Sequence, residues 1–168
     1  PVAGPGQVVV DIKATGIAFP DVLIVQGLYQ FKPPFPFFPG GELAGVVSSA
    51  GEGVTMHKVG DRVMGNVGSG ALCEKGAYFE QQLFPLPDTM DFQTAAGFML
   101  NYGTTYYGLK QRGELKPGQS LLVLGAGGGL GITAIHVGKA MGAKVIAAAS
   151  SEEKLDLCKK EGADEVIL

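Results

Sequence analysis

The sequence is short of several things, and each shortage excludes a class of function. Only two cysteines occur, Cys73 and Cys158, with no Cys-x-x-Cys spacing, so no disulfide framework can be built; this fits a reducing compartment. The net charge is −3 and no run of basic residues occurs, so the chain offers no electrostatic footprint for nucleic acid. No apolar stretch reaches the roughly 18 residues that a membrane span needs. The thiols carry the expectation of a cytoplasmic protein. The chain opens on Pro1 rather than Met and stops inside the apolar run EVIL, so both ends are expected to continue in a longer protein. What is present is apolar content, 46% of 168 residues, enough for a real core in one domain or in two incomplete ones.

The two halves differ in rhythm. Up to about residue 100, short apolar runs (QVVVDIKA, ELAGVVSS, DRVMG, GAYFEQQLF) are punctuated by Gly, Pro and Asp, which predicts strands of a small irregular barrel. FPDVLIVQG reads as a short helix. FKPPFPFFPGG, with prolines at 33, 34, 36 and 39, reads as extended loop. From residue 101 onward TTYYGLKQRG reads as a helix, SLLVLG as a buried strand, GLGITAIHVGKAMG as a helix and AKVIAAA as a second strand. SSEEKLDLCKKEG follows as a helix closed by Gly162, and DEVIL as a third strand. The predicted class is α/β with a β-rich first half, residues 1–100, followed by a β-α-β-α-β run, residues 101–168, of the kind that builds a parallel sheet.

GAGGGLG, residues 125–131, falls between a strand and a helix, where backbone amides can cradle a phosphate. Gly128 and Gly131 supply the second and third glycines of the dinucleotide fingerprint GxGxxG, while the first position holds Ala126, one residue after Gly125. The candidate pyrophosphate-binding residues are therefore Ala126, Gly128, Gly129, Leu130 and Gly131. A second strand ends about 20 residues past the last glycine, where such a unit reads the adenosine ribose. An NAD site places Asp or Glu there; this chain has Ala149, Ser150 and Ser151, with Lys154 one helical turn later. Two hydroxyls and an ammonium can donate to a 2′-phosphate, which favours NADPH over NADH. Ser followed by acids also caps a helix for reasons unrelated to any ligand, and both readings can hold together.

Several ordered motifs extend beyond the glycine loop: PGQVVVDIKATGIAFPDVLIVQGLYQ, PFPFFPGGELAGVV, VGDRVMG, and NYGTTYYGLKQRGELKPGQSLLVLGAGGGLG. In order and spacing they resemble the medium-chain dehydrogenases/reductases, in particular the zinc-independent quinone oxidoreductase branch that includes zeta-crystallin. The resemblance covers nearly the whole chain. It implies a GroES-like barrel that shapes the substrate cleft, followed by the first part of a Rossmann domain. It also implies a longer parent chain that adds an initial strand or two, later Rossmann strands and a terminal stretch, and that forms a homodimer.

The resemblance places the three catalytic zinc ligands of the alcohol dehydrogenases at Ala18, Gly41 and Asn101, none of which can replace the missing Cys or His, and the four-cysteine lobe is absent. His57, in a polar loop, and His136, mid-helix among Ile132, Ile135 and Val137, are not convincing ligands. Tyr29 matches a cleft tyrosine of the family; it reads equally as an aromatic packed beside Phe31. Where the family often has Asn and a second Tyr, this chain has Ala18 and Leu23, and Asn101 and Thr105 can compensate. Thr105 matches a threonine on the nicotinamide side of the cofactor. Phe19 and Tyr107 read either as cleft liners or as core. The implied activity is NADPH-dependent, zinc-free hydride transfer to a small-molecule acceptor, a quinone or another α,β-unsaturated carbonyl. The alternatives are an enoyl-thioester reductase of the same superfamily and a crystallin-type protein that holds NADPH with incidental turnover.

Overall fold

The computed structural model describes residues 1–168. The chain divides into two compact units, 1–99 and 100–168.

In the first unit, runs rich in valine form β1 (Gln7–Gly16), β2 (Glu42–Ala50) and β3 (Arg62–Asn66), joined by β4 (Lys75–Phe79) and β5 (Leu83–Pro85). They make one antiparallel sheet in the order β4-β1-β2-β3-β5. The β1–β2 register steps between Val9 and Val10 and again between Ile12 and Ala14, irregularities of the kind that bend a strand. Val8, Val10, Leu43, Val47, Val63, Tyr78 and Leu83 form one core cluster, and each fully buried aliphatic among them contributes about 1.5–3 kcal/mol. Ala44, Met64 and Leu86 form a second cluster with Ala95 and Ala96 of α2 (Phe92–Ala96). α2 approaches so closely that a Cβ on Gly16 would stand 2.2 Å from the Ala96 carbonyl oxygen.

The short helix α1 (Phe19–Val25) is fixed by Asp21, which is buried and accepts from the backbone of Ala18 at 2.8 Å and of Gly40 at 3.1 Å. One carboxylate thus ties the first turn of α1 to the end of the proline-rich connection. Arg62 lies over the Phe92 ring, 4.7 Å from its centroid, and donates to the carbonyls of Pro87 and Met90, fastening the chain leading into α2.

The run GAYFEQQLF departs from a single strand. β4 stops at Phe79 and a 3₁₀ turn, Glu80–Gln82, precedes β5. The turn forms because Glu80 is drawn inward to accept from the Thr55 and Met56 amides at 2.8 and 2.7 Å, while the Gln82 side chain accepts from the Phe79 amide. His57, in the same loop, is buried rather than solvated, with Nε2 3.3 Å from the carbonyls of both Glu80 and Leu83.

The second unit contains a parallel sheet, β6 (Ser120–Leu124), β7 (Lys144–Ala148) and β8 (Glu165–Ile167), in chain order. α4 (Gly129–Ala140) follows β6 and α5 (Glu152–Lys160) follows β7. Val123, Ala126, Ile135, Val145, Ala147 and Cys158 are the buried core between them. α4 lies close on the sheet: a Cβ on Gly138 would come within 2.7 Å of Leu121 and 3.1 Å of Val145. Asp164 anchors the start of β8, accepting from the Val145 amide at 2.7 Å and from Lys139 Nζ at 2.6 Å. The helix expected at TTYYGLKQRG begins earlier and changes pitch: α3 spans Met99–Tyr106 and passes into a wider π turn, Tyr107–Arg112, where the Gly113 amide donates to the Gly108 carbonyl. No helix is long and apolar enough to cross a membrane.

The backbone hydrogen bonds from Met56 and Thr55 hold the Glu80 carboxyl below its ordinary pKa. A carboxyl more acidic folded than unfolded contributes stability above the ordinary carboxylate range and loses it as pH falls. Glu80→Gln should therefore melt below wild type at pH 7, and thermal denaturation should show the gap closing as pH drops through about 4. A gap unchanged in acid would refute the assignment.

Candidate functional site

The loop after β6 has two different kinds of glycine position. Gly125 takes a left-handed φ of 65° and makes the turn itself, accepting from the Gly128 amide at 3.1 Å. Ala126 follows, fully buried, its amide donating to the Ala148 carbonyl at 2.9 Å and so tying the loop to the end of β7. The residue that needs left-handed backbone therefore precedes the fingerprint's first position, and the Ala126 methyl joins the core. Gly131 is the close-packing position: a Cβ there would stand 2.5 Å from the Cα and carbonyl oxygen of Ala126. At Gly128, the N-cap of α4, the nearest atom to such a Cβ is the Gly125 oxygen at 3.6 Å, and no side chain caps the helix. Gly128, Gly129 and Leu130 are exposed. The positive end of a three-turn helix thus faces open space across glycine backbone, which suits a phosphate group.

β7 leads to the second cluster. Ser150 is exposed, and Ser151 is the N-cap of α5, its Oγ accepting from the Lys154 amide at 3.4 Å. Capping uses a lone pair and leaves the hydroxyl hydrogen of Ser151 able to donate to a ligand. Glu152 and Glu153 are exposed in the first turn of α5. Lys154 lies against the glycine loop: a Cβ on Gly127 would come within 2.9 Å of its Cβ and Cγ. Gly127, which the fingerprint does not single out, matters because its bare backbone lets the Lys154 stem cross the loop. The fingerprint gives no signal for it, since that position is unrestricted.

α3 supplies the third cluster. The Asn101 amide nitrogen lies 3.3 Å from where a Gly129 Cβ would be. Thr105 is buried, with its hydroxyl 2.8 Å from that of Thr133 on α4. Thr133 also reaches the Leu130 carbonyl at 3.0 Å; donation there makes Thr105 the donor to Thr133 and leaves the Thr105 lone pairs for a ligand N–H. A cavity of about 280 Å³ opens beside Thr105, lined by Leu109, Val123, Leu124, Leu130 and Ala134. The second unit therefore brings together Asn101, Thr105, residues 126–131 and Lys154.

Tyr29 belongs to the first unit, half-buried in the bend after α1. Phe19 and Tyr107 are exposed, so neither is a core residue. Ala18, Gly41 and Asn101 offer no thiolate or imidazole, and nowhere do three His, Cys, Asp or Glu side chains cluster closely enough to hold one metal ion. His136 is engaged by its neighbours, with Nδ1 2.7 Å from the Tyr102 hydroxyl and Nε2 2.8 Å from Glu161 Oε2.

The alcohol dehydrogenase GroES-like domain family matches residues 4–108, more than half of the chain, and the zinc-binding dehydrogenase family matches residues 129–168. The rat quinone oxidoreductase-like protein 2 is 40% identical over 161 residues, 95% of this chain and 46% of its own length. The crystal structure of Escherichia coli quinone oxidoreductase complexed with NADPH superposes with a TM-score of 0.94 at 36% identity, over all of this chain and 52% of that one. The CurK enoyl reductase superposes with a TM-score of 0.89 at 27% identity, over 99% of this chain and 52% of that one. The chain thus spans about half the length of the relatives it matches. With a GroES-like first half and a glycine-loop second half in this order, the chain belongs to the medium-chain dehydrogenase/reductase superfamily, on its quinone oxidoreductase branch.

Proposed function

We propose that the protein is a zinc-free oxidoreductase that uses NADPH to reduce a quinone or another α,β-unsaturated carbonyl. The observation that carries this reading is the uncapped start of α4 at Gly128 with Lys154 laid across Gly127. That pairing sets a phosphate cradle beside a cation able to meet a second phosphate. NADPH, when bound, supplies a hydride from its nicotinamide ring. The amides of Gly129, Leu130 and Gly131 hold the pyrophosphate, with the bare backbone of Gly128 leaving its approach open and Ala126 beneath them. Ser150, Ser151 and Lys154 take the 2′-phosphate. Thr105 accepts from the carboxamide N–H, and Asn101 orients the same end of the cofactor. Tyr29 donates a proton to the reduced acceptor oxygen, a modest demand because a hydroquinone can also be protonated by water. Leu28, Phe31, Phe35 and Phe38, close to Tyr29 in sequence, are exposed in the first unit, and apolar surface of this kind suits a lipophilic acceptor. The likeness to the CurK enoyl reductase supports the second reading, an enoyl-thioester acceptor. An assay of the intact protein with NADPH against quinones, enals and enoyl thioesters separates the two.

NADPH should bind at least about tenfold more tightly than NADH, and Lys154→Ala should remove most of that preference while leaving NADH nearly unaffected. Calorimetry with both cofactors checks this; equal losses would make Lys154 a structural residue only. Gly128→Val should fold, since only the Gly125 oxygen is near, yet weaken NADPH by about a hundredfold or more because the branched side chain fills the phosphate's approach. Retained affinity in a folded variant would reduce the loop to a simple turn. Elemental analysis of intact protein purified without added zinc should find well under one zinc per chain, and a stoichiometric, chelator-sensitive zinc would end the zinc-free reading.

A further inference from the structure

α3 is strapped to one face of α4 at three points. The Asn101 amide stands by Gly129, the Thr105 hydroxyl meets Thr133, and the Tyr102 hydroxyl meets His136. Positions 129, 133 and 136 are spaced four and three apart, so they share a helix face. The outermost attachment is the one tied to a carboxylate: the His136 ring stacks near Tyr102, 6.0 Å between centroids and 19° from parallel, and its other nitrogen reaches Glu161 at the end of α5. His136 and Glu161 are each about one third exposed.

The donor pattern is determined by Glu161. An ionised carboxylate only accepts, so the neutral ring carries its hydrogen on Nε2, and Nδ1 must accept from the Tyr102 hydroxyl. We infer that His136 is a positioning residue for the nicotinamide half of the dinucleotide site, acting through Tyr102 to hold α3, and with it Asn101 and Thr105, in register with the glycine loop. This rests on the reading that the loop binds NADPH. The adenosine half depends less on it, because α5 is held separately by the buried Leu155 and Cys158 and by its Ser151 cap.

The test compares NADPH with adenosine 2′,5′-bisphosphate, which carries only the adenosine half, by calorimetry on the intact protein. His136→Ala and Tyr102→Phe should each weaken NADPH by about fivefold, the worth of one net hydrogen bond, and change the bisphosphate by less than about twofold. His136→Gln should restore NADPH affinity, since its amide also accepts on one side and donates on the other. Nitrogen-15 NMR should show His136, when neutral, as the Nε2–H tautomer. Tyr102→Phe keeps the ring and decides the matter if His136→Ala does not fold. Unchanged NADPH affinity in Tyr102→Phe, equal loss for both ligands, failure of the glutamine variant, or an Nδ1–H tautomer would each overturn the inference. Wild type that binds neither ligand would overturn the NADPH reading and this one with it, whereas wild type that binds both without response to the variants overturns this one alone.

Discussion

The approach of α4 to the loop that precedes it is the constraint on which the second unit depends. Gly131 has no room for a methyl group against the Ala126 backbone, and at Gly138, two turns along, a methyl would have to displace the end of the Leu121 side chain and press on Val145. With both positions bare, the helix lies low on β6 and β7 and its amino end aims across the carboxyl ends of the strands. Everything else takes its place from that line. Asn101 and Thr105 are attached to the face of α4, and the Lys154 stem reaches the loop over Gly127 because that position carries no side chain.

The first unit uses carboxylates for the same purpose. Asp21 and Glu80 are both buried, and each accepts two backbone amides from segments that have no sheet partners of their own. Such segments must find acceptors elsewhere or leave buried donors unpaired. Asp21 thereby sets the start of α1, and through it the chain that carries Tyr29.

Much of this was legible in the sequence, and the failures share a cause. The β-α-β-α-β order, the Ser151 cap and the short helix at 19–25 are local patterns, and local patterns are visible in a string of residues. GAYFEQQLF was not read as two strands because the reason for the break, the amides of Thr55 and Met56, lies about 25 residues upstream. α2 is a different case, since Asp91 with Thr94 is an N-cap signal that was there to be read: the Asp91 side chain accepts from both the amide and the hydroxyl of Thr94. The fingerprint located the loop but put the turn one residue late, because the pattern records residue types and the left-handed φ belongs to Gly125. His136 read as a bland helix residue; its partners are 34 and 25 positions away, and no periodicity links them.

The burial of Cys158 under α5 has a chemical meaning of its own. Quinones and enones, the acceptors proposed above, are electrophiles that add to thiolates, so a protein that reduced them would be exposed to alkylation by its own acceptor. Cys158 is fully buried, and desolvation pushes its thiol pKa up, which keeps it protonated near neutral pH as well as out of reach. The one sulfhydryl in the glycine-loop half is thereby withheld from conjugate addition, and its packing role in the core carries no liability toward the compounds the site would reduce.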